Sequence, residues 1–472
     1  LGKVKIEVRS AGYRALRQEV TTERSYTAEQ NFELAPDEIA LDEVVVSANR
    51  SLTLRRESPV IVNVLDTKLF ESTHSTTLAQ GLNFQPGVRT EDNCTNCGFS
   101  QVRINGLDGH YSQILVDSRP VFTALQGVYG LEQIPANMVQ RVEIVRGGGS
   151  ALFGASAIGG TINIITKEPS ENSAELAHTI TGATTGSTAF DNNTTGNVSV
   201  VTTNGRAGFY LYAQSRHRSA YDRDGDGYTD LPTLDNKTLG LSTFLRLTDY
   251  SKVTLKYHGL KEFRRGGNNL FLPPHEANIA EQIEHTINGG SLAYDLFNPN
   301  GKGHFSAYAS FQNVDRKSYY GGLGELASAA EGQKALNEAY KLGLSLDMSE
   351  EDAAKLPDDQ QEILANAQAY DKAQRAYNVT HNINYIAGAQ YVHNFDRLLF
   401  MPADLTVGAE YSFDRIKDRS LGYNSLLEQR VRISSAFVQN EWKNAHWGLL
   451  LGGRLDKHNL ISLPETPTIE PN

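Results

Sequence analysis

Val142-Glu143-Ile144-Val145-Arg146-Gly147-Gly148-Gly149-Ser150-Ala151-Leu152-Phe153-Gly154-Ala155-Ser156-Ala157-Ile158-Gly159-Gly160-Thr161-Ile162-Asn163-Ile164-Ile165-Thr166 is the stretch on which the reading of this chain turns. One apolar run, Val142 to Val145, leads into a dense glycine cluster, and a second, Thr161 to Ile165, leaves it. The pattern predicts two buried strands with a glycine-rich crossing between them. A phosphate cradle is the tempting alternative, but neither G-x-x-x-x-G-K-[ST] nor G-x-G-x-x-G occurs in the stretch. The residues on its N-terminal side read as a compact mixed domain. Those on its C-terminal side read as long, regular, alternating β structure.

Composition agrees with that division. With 472 residues the chain is too long for one small core, so two or more domains are expected. Its 41 glycines, 21 tyrosines and 18 phenylalanines against 3 methionines favour strands and turns. No apolar run approaches the roughly 18 residues of a membrane-crossing helix. That leaves room for a transmembrane β-barrel, whose alternating strands depress mean hydropathy. A net charge of −11 argues against nucleic acid as the partner. No start Met or leader is visible and the chain opens inside a strand pattern, so it reads as processed or trimmed. No G-x-S-x-G, H-E-x-x-H or Cys-His constellation supports catalysis.

The two cysteines, Cys94 and Cys97, are expected to form a local disulfide. A redox pair would need a thioredoxin-like βαβ setting, and a zinc site would need further ligands; neither is evident.

Residues 1–35 alternate, with Val4, Ile6 and Val8 on one face, a turn at Ser10-Ala11-Gly12-Tyr13, and a later strand ending at Phe32 and Leu34. They read as the closing strands of a small β-sandwich. The pattern resembles the carboxypeptidase-regulatory-like domain that stands ahead of outer-membrane receptors of the Bacteroidetes type. Residues 36–49 are a linker, acidic at its start. Within it Leu41, Asp42, Glu43, Val44, Val45, Val46, Ser47 and Ala48 form a β-prone segment. By itself this is either an edge strand or an extended peptide that adds to a partner's sheet. It resembles the TonB box of TonB-dependent transporters, which implies the TonB C-terminal domain and its inner-membrane motor complex as partners.

Residues 50–167 make the compact domain. Val60 to Val64 predicts a strand, Asp66 to Ser72 and Thr76 to Asn83 two short helices, and Gln101 to Ile104 and Gln113 to Asp117 two more strands. The segments Gln101 to Leu107, Ile114 to Asp117, Leu131 to Pro135, Val139 to Glu143, Arg146-Gly147 and Phe153 to Thr166 resemble, in order and spacing, the plug of TonB-dependent transporters. Where that family carries Asp-Gly after the central strand, this chain has Asp117-Ser118, so a different turn is expected.

Residues 168–472 carry about eleven alternating segments, each near the ten residues of a tilted membrane strand. Phe209, Leu211 and Ala213 oppose Tyr210, Tyr212 and Gln214; Phe305, Ala307, Ala309 and Phe311 oppose His304, Ser306, Tyr308, Ser310 and Gln312. Short connections fall at Asn204-Gly205, Thr248 to Lys252, Asn298 to Gly303, Asp396-Arg397 and Lys443 to His446. Long ones fall at 187–195, 218–236, 263–281, 317–377, 415–427 and after 458. Barrels of the outer membrane turn tightly on the periplasmic side and carry long external loops, so the long set is expected outside. The resemblance implies a mixed α/β plug inside a transmembrane antiparallel barrel of about 22 strands, of which about eleven are present here. Residues 168–472 are therefore read as the first part of the barrel, and the rest of the wall is expected beyond this sequence.

Asp222, Asp224, Asp226, Tyr228 through its carbonyl, and Asp230 follow the spacing of a calcium loop. Thr233 stands where an EF-hand has its glutamate. The alternative is a solvated acidic loop. Substrate contacts are expected on the plug apex from Arg119, Phe122, Gln126, Tyr129 and His110. Residues 321–377 read as two or three short helices in an external insert. The plug most resembles those of vitamin B12, haem and siderophore receptors, which implies energised import of a metal chelate across a Gram-negative outer membrane. Glycan or peptide import with a surface lipoprotein partner, or a non-transporting receptor or adhesin, stays open as an alternative.

Overall fold

The computed structural model describes residues 2–8, 16–22, 32, 44–45, 53–54, 60–94, 98–107, 109–120, 130–147, 150–154, 157–420, 425–444 and 446–463. Strands β1 (Gly2–Val8) and β2 (Leu16–Thr22) pair antiparallel from Gly2↔Thr22 to Val8↔Leu16. A hairpin is thus what is described of the expected sandwich. The expected turn at Ser10 to Tyr13 lies outside the described residues, as does Leu34.

The inner domain begins with two short strands, β3 (Val44–Val45) and β4 (Thr53–Leu54). It continues through β5 (Val62–Asp66), α1 (Thr67–Ser72), α2 (Leu78–Leu82), β6 (Val88–Cys94), β7 (Phe99–Ile104), β8 (Ser112–Val116), β9 (Arg119–Pro120), α3 (Gly130–Gln133), β10 (Val139–Arg146), α4 (Ser150–Phe153) and β11 (Gly160–Thr166). Asp66 ends β5 and caps α1, its carboxylate accepting from Leu69 N at 3.0 Å. The central sheet runs β5-β10-β11-β8-β9, with β11 parallel to β8 and the other pairs antiparallel. Ile144, Ile162 and Ile164 on the sheet, Leu78 and Leu82 of α2, and Ile104 are all fully buried in one core.

The glycine-rich stretch is the antiparallel pair β10–β11 with α4 between. Gly160 has φ +145°, and a Cβ there would stand 2.5 Å from the Val145 carbonyl oxygen. Only glycine lets β11 start against β10 at this point. Asp117-Ser118 does make an unusual turn: both residues are left-handed, φ 50° and 65°. Ser118 takes the place that normally suits glycine. The buried Asn163 side chain holds it there, accepting from Ser118 N at 2.8 Å and donating to Ser118 Oγ at 3.0 Å.

The wall is an eleven-stranded sheet in which each strand pairs antiparallel with its neighbour in sequence. Its strands are β12 (Ser173–Ala183), β13 (Ala189–Val201), β14 (Ala207–Arg218), β15 (Thr233–Thr248), β16 (Ser251–Gly267), β17 (Ala280–Phe297), β18 (Gly303–Gly321), β19 (Tyr377–Leu398), β20 (Met401–Ser420), β21 (Ser425–Lys443) and β22 (Gly448–Leu463). Strand number agrees with the alternation, but strand length does not. The strands run from 11 to 22 residues. The expected long connections at 187–195 and 415–427 shrink to 184–188 and 421–424, because β13, β20 and β21 continue as paired ladder. Hydropathy alternation marks only the lipid-facing part of a strand; hydrogen bonding carries the hairpin past it. The expected tight turn at Asp396-Arg397 lies at Leu399-Phe400, after a register irregularity between Phe395 and Leu398.

One face of the wall is apolar and about half exposed, carrying Leu239, Leu255, Leu292, Phe311, Tyr385 and Val438. The other face meets the inner domain from β14 to β22, so the sheet wraps it. The 322–376 connection folds as α5 (Ala329–Lys341), α6 (Glu350–Ala353) and α7 (Asp358–Arg375), with Leu336, Ala339, Leu364 and Tyr370 in a core of their own. Among the described residues no helix is long and apolar enough to cross a membrane.

Candidate functional site: the seam between inner domain and wall

Two polar stations tie the inner domain to the wall. The lower one lies at the Asp117-Ser118 turn. Lys256, on the inward face of β16, places Nζ 2.8 Å from Asp117 Oδ2 and 2.7 Å from Thr166 Oγ1. Thr166 N and Oγ1 also donate to the Asp117 carboxylate, at 3.1 and 2.9 Å. Burial works against ionising Asp117, but the Lys256 ammonium and the Thr166 donors outweigh it and hold the carboxyl below its usual range.

The upper station centres on Glu132 of α3. Arg264 on β16 reaches its carboxylate at 2.7 Å and Glu262 at 2.9 Å. Gln133 donates to Glu262 at 2.9 Å, Asn236 of β15 at 3.0 Å, and Arg264 donates to the Gly98 carbonyl at 3.0 Å. Burial opposes the Glu132 charge as well, yet Arg264, Arg218 and Arg216 together keep its carboxyl below the ordinary value. Such buried charges are tolerated because each is paired and hydrogen-bonded.

Between the stations Tyr210 donates to the Asn137 carbonyl at 2.8 Å, and Tyr212 packs its hydroxyl 2.9 Å from Met138 Sδ. Beside them a small cavity of about 70 Å³ lies between Val116, Asp117 and Met138 of the inner domain and Tyr212, His258 and Gln312 of the wall. On the far side Phe437 joins the Leu115–Leu152–Phe153 cluster, and Arg454 donates to the Leu152 carbonyl at 3.1 Å. The inner domain is thus held by several separate contacts, with that small cavity between them.

These observations identify what the inner domain is. Residues 55–161 match the family model described as TonB-dependent Receptor Plug Domain. Residues 55–161 are a TonB-dependent receptor plug domain. The inner domain and the eleven-stranded wall together share the fold of solved TonB-dependent receptors over most of this chain. The chain is similar to the vitamin B12 transporter BtuB of Vibrio cholerae, 34% identical over 128 residues, which is 27% of this chain and 21% of that protein. With BtuB of Photobacterium profundum it shares 27% identity over 205 residues, 41% of this chain and 32% of that one. In fold it is similar to the siderophore receptor PirA of Acinetobacter baumannii (TM-score 0.63, 17% identity, covering 86% of this chain and 58% of that one). It is also similar to the ferripyoverdine receptor of Pseudomonas aeruginosa (TM-score 0.65, 14% identity, 90% and 55%). The chain therefore spans about a fifth to a third of the curated relatives' length and somewhat over half that of the solved receptors.

Within the plug, the expected ligand residues separate. Arg119 stacks its guanidinium 4.4 Å from the Tyr308 ring centre on β18, so it belongs to the seam. Phe122, Gln126 and Tyr129 lie outside the described residues. His110 stands on a single 3-10 turn, Gly109–Tyr111, ahead of β8. Cys94 ends β6 opposite Phe99, and Cys97 lies outside the described residues, as does the pairing expected between them. Of Leu41 to Ala48 only Val44 and Val45 are described. They pair with Leu54 and Thr53, and Val45 is fully buried against Val62 and Val145.

The carboxylates of Asp222, Asp224 and Asp226 converge within 4.8 Å of one another in the β14–β15 connection. Backbone donors shape the loop: Gly225 and Gly227 to Asp222 at 2.7 and 3.0 Å, Tyr228 to Asp226 at 2.8 Å, and Arg223 to Asp230 at 2.7 Å.

Sequence reasoning alone misses Lys256, Glu132, Glu262 and Arg264. A signal exists: Lys256, Glu262 and Arg264 share one parity on β16, so charges repeat on a face that a lipid-contacting surface would exclude.

Proposed function

We propose that this chain supplies the plug and wall strands of a TonB-dependent importer that moves a scarce metal chelate across the outer membrane. Cobalamin, haem and ferric siderophores are the candidate cargoes. The observation that carries the reading is the seating of Val45 on the plug, while the plug itself is pinned to the wall at Asp117–Lys256 and Glu132–Arg264. A segment seated through a short strand pairing, here Val44-Val45 on Thr53-Leu54, can be released to a partner's sheet edge. A plug held by several polar stations then needs work to open, which a TonB protein driven by its inner-membrane motor would deliver. Ligand bound from outside would bias release of the segment, so that both sites act on one two-state element. The protein's part is binding and gating, not catalysis. The acidic loop from Asp222 to Asp230 is read as a structural calcium site that orders an external connection.

The cargo class rests on the relatives, vitamin B12 transporters by sequence and siderophore receptors by fold. Titrating the full-length receptor with cobalamin, haemin and a ferric siderophore identifies the cargo. Deleting Leu41 to Ala48 is expected to leave that binding intact and abolish uptake. Uptake that survives the deletion overturns the mechanism.

A further inference from the structure

The inward face of β14 to β16 carries more positive than negative charge, and the plug supplies the difference. Tyr210 and Tyr212 reach the inner domain, so Arg216 and Arg218, which share their parity on β14, face inward too. Lys256, Glu262 and Arg264 share the inward parity of β16. From Lys256 to the outer ends of these strands the wall thus presents the cations Arg216, Arg218, Lys256 and Arg264. It answers them with Glu262 and with Asp191 of the neighbouring β13, which Arg216 holds through Nε and Nη2 at 3.0 and 2.6 Å. The remaining counter-charge comes from the plug. Asp117 lies 2.8 Å from Lys256, and Glu132 lies 2.7 Å from Arg264 and 4.0 Å from Arg218. Further round the wall the arrangement differs. On the inward face of β20, Glu410 meets Arg454 of β22 at 3.6 Å, and Asp414 accepts from Asn382 and Asn384 of β19 at 3.1 and 3.2 Å. That sector carries acids and holds them with partners of its own.

The column between the two stations is polar. Lys256 and Arg264 stand about 26 Å apart along β16. Beside that stretch the cavity of about 70 Å³ and a second of about 60 Å³ share Met138, Tyr212, His258 and Gln312 in their linings. Gln312 Oε1 and Ser242 Oγ, in the walls of the first cavity, are buried and take no hydrogen bond among the described residues, and the same holds for Arg216 Nη1. Such groups are costly to bury unless something polar reaches them. When work on the plug draws Asp117 and Glu132 away, Lys256, Arg218 and Arg264 lose those carboxylates. A cation parted from its counterion in an enclosed site is strongly unfavourable. Water makes good part of that loss, and an anion makes good more of it; a neutral or cationic solute adds nothing. Guanidinium forks take carboxylate and phosphate oxygens two at a time.

We propose that Lys256, Arg264, Arg218 and Arg216 form an anion-selective lane along β14 to β16, in which acidic groups of the cargo replace Asp117 and Glu132 as counterions. The receptor then favours chelates that carry carboxylates or phosphate over neutral or cationic ones. The inference rests on the import reading of the proposed function and narrows its cargo class. The test places the full-length receptor in a planar bilayer under a KCl gradient and raises urea until the plug loosens and a conductance appears. The reversal potential is expected to report a chloride-over-potassium preference of roughly tenfold, and citrate, used as a polycarboxylate probe, to block the current. In K256M/R218Q the preference falls to near unity and the citrate block weakens roughly tenfold. D117N/E132Q, which strips the plug of its carboxylates and leaves the wall cations, opens at lower urea and keeps the preference. If K256M/R218Q fails to fold with its plug acids unpaired, D117N/E132Q/K256M/R218Q restores neutrality to the seam and is expected to lose the preference as well. K237Q/K261Q, at exposed positions of opposite parity on β15 and β16, behaves as wild type. A conductance without anion preference, or a preference that survives loss of Lys256 and Arg218, overturns the proposal and leaves the import reading standing. No conductance at urea concentrations where protease cleavage shows the plug unseated sinks the plugged-pore reading and the lane with it.

Discussion

Asp117 of the plug and Lys256 of the wall face each other at 2.8 Å, with Thr166 bridging both. The pair joins the left-handed Asp117-Ser118 turn of the plug sheet to the inward face of β16. Removing either partner leaves a largely buried charge without its counterion. Asp117→Asn and Lys256→Met are each expected to destabilise the seated plug. A double-mutant cycle on chemical denaturation of the full-length receptor should show coupling of about 1–3 kcal/mol. Additive effects would mean that the pair does not latch the plug.

The same pair sets an acid response. The folded-state pKa of Asp117 is held below its unfolded value, so its stabilisation is fully present above the unfolded carboxylate range. It is lost as pH falls through the lowered value. Glu132 acts in the same direction. Plug stability, followed by limited proteolysis at fixed denaturant, is expected to hold from neutral pH down to about 5 and to fall below about 4. Asp117→Asn should flatten part of that fall.

Gly160 tests the crossing between β10 and β11. Alanine there brings a Cβ to 2.5 Å from the Val145 carbonyl at a φ that L-residues avoid. Gly160→Ala is expected to cost about 2–4 kcal/mol of plug stability. At Gly159 a Cβ meets the Tyr111 carbonyl at 3.0 Å, a smaller conflict. Bulky residues at either position should impair folding or transport and leave ligand binding in assembled receptor unchanged. Calorimetric ligand titration beside an uptake assay separates the two.

The acidic loop gives a metal-dependent prediction. Three convergent carboxylates repel one another unless a cation is present. Calcium is expected to raise the protease resistance of the 219–232 connection, and a chelator to reverse it. Asp224→Asn with Asp226→Asn should weaken calcium binding, read by isothermal titration, by tenfold or more, on the order of 1.4 kcal/mol or above. Unchanged proteolysis with and without calcium would leave the loop merely acidic.

Local chemistry makes much of the architecture legible from sequence. Alternation along β14 and β18 distinguishes the lipid face from the inward face before any pairing is known, because side chains on a strand point to opposite sides. The Asp66 cap and the apolar runs of β10 and β11 mark their elements for the same reason: the signal lies within a few residues. Strand ends are less legible. Above the apolar band β20 keeps pairing through Arg415, Lys417 and Arg419, and a polar hairpin outside the membrane looks like a loop to hydropathy.

What the sequence determined by itself is a glycine-punctuated plug followed by an alternating wall. What only the tertiary structure decided is which polar residues meet. Lys256 is about 140 residues from Asp117 along the chain, and Glu132 is a comparable distance from Arg264; no local period relates them. Their pairing depends on how far the wall curves around the plug and on the register of β16, both sums over many hydrogen bonds. The glycine stretch, legible in the sequence as a crossing between strands, is in the folded protein the inner edge of that packing: Gly160 admits β11 against β10, and β11 delivers Thr166 to the Asp117–Lys256 pair.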